Sequence, residues 1–164
     1  MTSVKRIAPW LVLGTLIALS DQASKYAVSA ALRVGEAREI TAFFNLVLAH
    51  NRGAAFSFLS DAGGWQRSLF IGIAVLATGV IVAMLARHPG ERLFCAGLGL
   101  ILGGALGNLC DRIVLGYVVD FLDFHALGWH FWAFNLADSA ITVGAGLLIL
   151  DGLRSAAASQ NALK

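Results

Sequence analysis

Four apolar runs, each long enough to cross a lipid bilayer, constrain the fold of this chain more than any other feature. The runs cover residues 7–27, 65–86, 93–113 and 132–153. A helix needs about 20 apolar residues to span the hydrocarbon core. Only 13 % of the residues are charged, whereas a soluble domain carries about 25 %. The sequence therefore predicts an all-α membrane protein with four transmembrane helices, organised as a single domain over residues 1–164.

The first run could also be a cleaved secretory signal peptide, because Lys5 and Arg6 precede it. The apolar sequence continues past Asp21 to about Ala31, without a convincing small-residue cleavage site before polar sequence. A retained span is therefore favoured. The net charge of +2 is too small to suggest a nucleic-acid partner.

Lysine and arginine residues near the span ends predict the orientation, because cytoplasmic segments carry an excess of them. The count is tied between the two sides. The side that holds both termini has the denser charge, since its segments are short and include the turn "RHPGER". We therefore expect both termini in the cytoplasm and two longer loops, residues 32–64 and 114–131, on the outer side.

The outer loops carry further structural signals. "EITAFFNLVLAHN", residues 39–51, is rich in β-branched and aromatic residues and predicts a strand. "GAAFSFL", residues 53–59, predicts a short helix at the membrane interface. We expect the last ten residues to form a disordered tail. Aromatic residues near the span ends predict an interfacial belt of Trp65, Trp129, Phe131 and Trp132.

The third apolar run contains Gly99, Gly103 and Gly107, which form two overlapping Gly-x-x-x-Gly steps. This spacing predicts a close-packed helix face, because small residues let helix backbones approach each other. The same run holds Cys95 and Cys110. On one helix these cysteines are roughly 22 Å apart, so they cannot form a disulfide with each other.

Polar side chains near the outer ends of the spans need a separate explanation. An ionised side chain in hydrocarbon is costly, so its default interpretation is functional. Independent structural accidents would not need to share one depth, and the sequence therefore predicts a common polar site. The candidate residues are Asp21, Gln22, Lys25, Asn51, Asn108, Asp111, Arg112, Asp120, Asn135 and Asp138.

Several of these residues also have a purely structural interpretation. Asn135 and Asp138 have the spacing of a capping box at a helix start. Asp21 and Lys25 are four residues apart with the acid first, which suits a helical ion pair. Residues 111–112 could mark the polar end of the third span. The local sequence leaves these alternatives open.

A metal site is a weaker possibility in the second outer loop. Asp120, Asp123, His125 and His130 are potential ligands there. Their spacing matches no metal-binding motif, so we favour a solvated loop and expect neither a metal nor another cofactor.

The pair formed by Asp120 and Asp138 is the most informative of these polar features. Two carboxyl groups at the same depth could form a pair. Within a few ångström of each other they cannot both ionise cheaply, so one pKa rises and the pair shares a proton. Such a pair can activate water and protonate a leaving nitrogen, as aspartic proteases do. A transporter with an ion site, or a scaffold with a polar helix lock, is the alternative. The chain lacks the internal symmetry expected of a transporter.

Five ordered blocks of sequence resemble the motifs of the bacterial lipoprotein signal peptidase family, also called signal peptidase II. They are "DQASK" (21–25), "HNRGAAFSFL" (50–59), "GGALGNLCDR" (103–112), "GYVVDFLDF" (116–124) and "FNLADSAITVG" (134–144). The blocks extend over nearly the whole chain, so the resemblance is specific.

The resemblance implies an aspartyl endopeptidase of the bacterial inner membrane. It would act as a monomer and remove the signal peptide from prolipoproteins, cutting on the amino side of a diacylglyceryl-modified cysteine. The catalytic pair falls on Asp120 and Asp138, near the periplasmic face, beneath a small extramembrane sheet and an interfacial helix. Membrane lipids are its other partners. The residues implied to bind substrate or support the pair are Asp21, Lys25, Asn51, Asn108, Arg112 and Asn135.

Overall fold

Four long helices form the body of the protein. The computed structural model describes residues 3–53 and 64–162. Each helix contains a stretch that is long enough and apolar enough to cross a membrane, as predicted. The helices are α1 (Ser3–Ala31), α2 (Trp65–Arg87), α3 (Arg92–Val114) and α4 (Leu136–Ala162).

Helix α4 differs from the prediction at both ends. It begins at Leu136 rather than Trp132, because the backbone of Phe134 is bonded to a neighbouring strand and Asn135 caps the helix. It continues to Ala162, so the predicted disordered tail is wrong over the described residues. The tail sequence is rich in alanine, which has the highest helix propensity, and this favours continuation of the helix.

Helix α3 lies at the centre of the bundle, and α1, α2 and α4 all pack against it. In α3, 56 % of the spanning window is buried, compared with 11–17 % in the other three helices. The predicted glycine face is confirmed, and it faces α1. A Cβ at Gly103 would lie 2.6 Å from the carbonyl oxygen of Gly14, and one at Gly107 would lie 2.5 Å from the Asp21 carboxyl.

A four-stranded antiparallel sheet is built from both loops on one side of the bundle. Its strands follow the order β1–β2–β3–β4. The sheet confirms the predicted extramembrane sheet, but the second loop is mostly strand rather than a solvated loop. The strand bounds are β1 (Ala37–Thr41), β2 (Phe44–Asn51), β3 (Val118–Ala126) and β4 (Trp129–His130).

The single strand predicted over residues 39–51 is instead a hairpin that turns at residues 42–43. Ala42 and Phe43 are not typical turn residues, so the sequence carried no signal for this turn. The predicted interfacial helix over residues 53–59 lies outside the described residues after Gly53.

The sheet is attached to the bundle by an apolar core beneath its inner face. Alternate residues of β3 point to opposite faces. Val119 and Phe121 face this core, so Val118 and Asp120 face the other way. The core consists of Val28, Leu32, Leu48, Val119 and Phe121. The alternation of β3 thus fixes the direction in which Asp120 points.

Candidate active site

Strand β3 places Asp120 on the face of the sheet opposite the apolar core. Asn51 lies opposite Val118 in the antiparallel register, which makes it a diagonal neighbour of Asp120 on the same face. The Asn51 side-chain amide donates a hydrogen bond of 3.0 Å to Asp120 Oδ2. The β2–β3 pairing therefore brings together two site residues that are 69 positions apart in sequence.

The start of α4 places Asn135 and Asp138 at the same site. The backbone N–H of Asp138 donates to Asn135 Oδ1 (2.9 Å), and the backbone N–H of Asn135 donates to Asp138 Oδ2 (3.3 Å). The predicted capping box is thus confirmed. Phe134, just before it, pairs with Leu122 of β3. The start of α4 therefore lies directly beside β3.

Asn135 bridges the two acidic residues. Its side-chain amide donates a 2.7 Å hydrogen bond to Asp120 Oδ1 while its own oxygen caps Asp138. Asn108 of α3 holds the second acid from another side, donating 2.8 Å to Asp138 Oδ1. Each carboxyl group is therefore oriented by amide donors from two directions, and both groups lie at one site.

A buried charge cluster supports the asparagines from behind. Lys25 is 3 % exposed, and its ammonium group lies 2.8 Å from Asp21 and 2.9 Å from Asp111. It also donates a 2.9 Å hydrogen bond to the side-chain oxygen of Asn108. The predicted ion pair between Asp21 and Lys25 is confirmed, but it is one half of a larger cluster.

The two acids of this cluster also bind backbone amides of the elements that carry the site. Asp21 accepts a 2.9 Å hydrogen bond from the N–H of Ala137, in the first turn of α4. Asp111 accepts 3.0 Å from the N–H of Val119, next to Asp120. The cluster therefore ties α1 and α3 to both elements that carry the acidic pair.

Arg112 points toward the acidic pair from the end of α3. Its guanidinium group donates to the backbone oxygens of Gly53 (3.0 Å) and Asn108 (3.3 Å). The same group lies over the ring of Phe70, 5.0 Å from its centre. An arginine that only anchored the helix at the interface would not need these three contacts.

The acidic pair opens into a cavity of about 600 Å³. Much of its lining is apolar, from the segment before α4 and from α4 itself. The lining residues discussed here are Asn51, Asn108, Arg112, Asp120, Phe131, Trp132 and Asp138. Asp120 is 3 % exposed, and burial together with the neighbouring Asp138 charge raises its pKa to about 7. One carboxyl of the pair can therefore carry a proton near neutral pH.

The eight residues proposed from the sequence as catalytic or supporting fall into two layers. Asp120, Asp138, Asn51, Asn108 and Arg112 line the cavity. Behind them, Asn135 is fully buried, and Asp21 and Lys25 belong to the charge cluster. The sequence analysis placed Asp111 in the polar cluster but assigned it no role, leaving open that it only marked the polar end of a span. Its spacing of three from Asn108, on one helix face, was the available signal.

The potential metal ligands of the second loop have another arrangement. The Asp123 carboxylate accepts a 2.9 Å hydrogen bond from Asn45 and lies 2.9 Å from His130 Nδ1. His125 stacks on His130, with ring centres 4.9 Å apart. Across residues 3–53 and 64–162, no three His, Cys, Asp or Glu side chains are arranged to hold a metal ion.

Fold and cavity together define a polytopic membrane protein with a pair of carboxyl groups at one end of its helix bundle. The family model of signal peptidase (SPase) II matches residues 13–154. The chain therefore belongs to the signal peptidase II family and is a protease. This membership decides against the transporter and the scaffold.

Curated relatives and solved structures agree with this assignment. The chain is 58 % identical to a lipoprotein signal peptidase of Paraburkholderia phytofirmans and 60 % identical to one of Ralstonia nicotianae. Both alignments include 90 % of this chain. Each alignment covers 86 % of the relative. A bacterial membrane enzyme solved by the in meso method at 2.3 Å superposes with a TM-score of 0.82 at 29 % identity, covering 91 % of this chain and 90 % of the other.

Proposed function

We propose that this protein cleaves the signal peptide from lipid-modified prolipoproteins, on the amino side of the diacylglyceryl cysteine, and that Asp120 and Asp138 catalyse the hydrolysis. The bridging of these two carboxyl groups by Asn135, at the wall of a largely apolar cavity, is the observation that carries the proposal. A lipid-bearing substrate fits this cavity because it brings both an apolar chain and a polar scissile bond.

In the proposed reaction, the pair holds one proton. The raised pKa of Asp120 allows this carboxyl group to hold that proton near neutral pH. Asp138 lies in the first turn of α4, where the positive end of the helix dipole favours a carboxylate. Asp138 takes a proton from water, and the water oxygen attacks the scissile carbonyl carbon. The C–N bond then breaks as the leaving nitrogen receives a proton from the pair.

The supporting residues have distinct proposed roles. The hydrogen bonds described above allow three asparagines to orient the two carboxyl groups: Asn51, Asn108 and Asn135. Arg112 provides a fork of donors for substrate carbonyls beside the pair. Asp21 and Lys25 act as positioning residues, because they do not line the cavity and their hydrogen bonds toward the pair run through Asn108 and the backbone of Ala137.

We further propose that the protein lies in the bacterial inner membrane as a monomer, with both termini in the cytoplasm. The density of lysine and arginine is higher in the short segments on the side of the termini, and this supports the orientation. The acidic pair, on the side of the sheet, would then lie near the periplasmic face.

Cleavage of a lipidated prolipoprotein by the purified protein tests the acidic pair. We expect Asp120→Asn and Asp138→Asn each to abolish turnover, because neither amide can exchange the required proton. The matched control is Asp123→Asn, a buried acid on the same strand that does not line the cavity. It should retain turnover.

Retained cleavage in either Asp120→Asn or Asp138→Asn would overturn the assignment, provided that circular dichroism shows intact helices. A prolipoprotein without the diacylglyceryl group should remain uncut. Efficient cleavage of that unmodified prolipoprotein would contradict the proposed substrate class, but it would not bear on the assignment of the acidic pair.

A further inference from the structure

The turn between β3 and β4 combines an unfavourable backbone with an exposed apolar side chain. Leu127 has a φ of +51°, and it is the one non-glycine residue with positive φ within residues 3–53 and 64–162. Gly128 follows with a φ of +81°. Two-residue hairpin turns with two positive φ angles favour Asn-Gly or Asp-Gly. Leucine is thus a poor choice for this turn, yet its side chain is fully exposed, at 102 % relative accessibility.

The apolar surface continues on both sides of this turn. Trp129 is 84 % exposed, and Phe43, Phe131 and Trp132 are each more than half exposed. The sequence from Phe124 to Asn135, "FHALGWHFWAFN", contains no Lys, Arg, Asp or Glu. An exposed patch of this kind marks an interaction site, and tryptophan is enriched at membrane–water interfaces.

The strand that carries the turn connects the ends of two membrane-spanning helices. Strand β3 begins at Val118, four residues after α3 ends at Val114. It then pairs through Leu122 with Phe134, two residues before α4 begins. The strand therefore links the end of one membrane-spanning helix to the start of another, and its residues after Leu122 lead to the hairpin turn.

We propose that the tip of the β3–β4 hairpin, Leu127–Trp129, is a membrane anchor that inserts into the headgroup and upper acyl region of the bilayer. Lipid is the occupant because the exposed apolar residues lie beside the ends of two membrane-spanning helices. They continue without a charged residue to Trp132, four residues before α4 begins. Insertion explains why an exposed leucine occupies a turn position that suits asparagine. The anchor also fixes the depth of Asp120, seven residues earlier on the same strand.

An environment-sensitive NBD probe tests the depth of the tip. It is attached at Ala126→Cys in a Cys95→Ala, Cys110→Ala background and reconstituted into phosphatidylethanolamine–phosphatidylglycerol vesicles. The matched control carries the probe at Glu39→Cys, an exposed position on the opposite edge strand. We expect blue-shifted emission at Ala126 and at least twofold stronger quenching by lipids with a doxyl group at carbon 5. Emission at Ala126 that equals the water-like control would overturn the anchor.

The variant Leu127→Asn separates insertion from folding, because asparagine suits the turn better than leucine does. We expect it to halve the lipid quenching of the Ala126 probe or reduce it further, while Leu127→Phe preserves the quenching. Unchanged quenching in Leu127→Asn would contradict the anchor. A blue-shifted probe that doxyl lipids do not quench would show that protein covers the tip, and would also exclude the proposal.

Discussion

Asp120 shows how a single residue responds to its position in the fold. Its carboxyl group is buried beside Asp138, and both effects raise its pKa to about 7 from the ordinary value of 3.8. The amide donors Asn51 and Asn135 work in the opposite direction, as does the charge of Lys25. Burial and the like charge outweigh them, so the folded protein holds this proton more tightly than the unfolded chain does.

This difference predicts a pH dependence of stability. Between about pH 3.8 and pH 7 the folded state binds more protons than the unfolded state, so the free energy of unfolding falls as pH rises through this window. We expect the melting temperature in detergent to be lower at pH 8 than at pH 5, with a smaller drop in Asp120→Asn. Differential scanning fluorimetry across this range measures both curves. Parallel curves would show that Asp120 does not titrate in this way.

The role of Arg112 also depends on the chemistry of a single side chain, its planar guanidinium group. One guanidinium group binds two carbonyl oxygens and stacks on Phe70, which a lysine cannot reproduce. Losing one charged hydrogen bond costs about 1.5–3 kcal/mol. We therefore expect Arg112→Lys to lower kcat/KM for prolipoprotein cleavage by at least roughly tenfold, with expression and insertion unchanged.

Arg67→Lys is the control for this prediction. Arg67 also binds two carbonyl oxygens at the end of α3, but it is exposed and does not line the cavity. Its replacement should leave kcat/KM near the wild-type value. Near-wild-type kinetics in Arg112→Lys would return Arg112 to the role of an interfacial anchor, and a collapse of its melting temperature would make it structural.

At the scale of elements, the contact between α1 and α3 supports the site. The glycine face of α3 lets α1 approach closely, and this approach buries Lys25 between Asp21 and Asp111. Removing one partner of a buried ion pair is far more costly than removing a surface pair, because a charge is left without compensation.

Lys25→Met should therefore destabilise the protein by about 3–5 kcal/mol. For a chain of this length, that corresponds to a fall in melting temperature of roughly 6–20 °C. The control Arg38→Met breaks an exposed pair with Glu36 at 3.9 Å and should change stability by less than about 1 kcal/mol. Thermal unfolding in detergent measures both variants. Equal effects in the two would contradict a supporting role for the buried cluster.

At the scale of the whole molecule, both long loops lie on one side of the bundle and build one sheet. This arrangement brings β2 and β3 together over the ends of α1 and α3. The short turn between α2 and α3 lies on the other side. Two membrane-spanning helices, α2 and α3, separate the two loops in sequence, so both loops return to the same side of the bundle. The side of the membrane on which the site lies then follows from the orientation of the chain.

Cysteine labelling in spheroplasts tests the proposed orientation. In the background without native cysteines, Glu39→Cys should react with a membrane-impermeant maleimide from outside. Gly90→Cys, where a side chain has open space, should react only after permeabilisation. The opposite pattern would mean that charge density was the wrong guide to topology.

The sequence by itself determined the four spans, because the length and hydropathy of an apolar run are local properties. Helical spacing also indicated the capping box of Asn135 and Asp138 and the ion pair of Asp21 and Lys25 as possible local contacts. The family motifs singled out Asp120 before any contact was known. These features need no knowledge of which elements meet.

Only the tertiary structure decided how the acidic pair is assembled. Phe134 pairs with β3, which delays the start of α4 and brings Asn135 against Asp120. The sequence also did not indicate the hydrogen bond that Asp111 accepts from the backbone N–H of Val119. The physical reason is that strand pairing and buried charge compensation join residues far apart in sequence, and a periodic pattern records only what happens within one element.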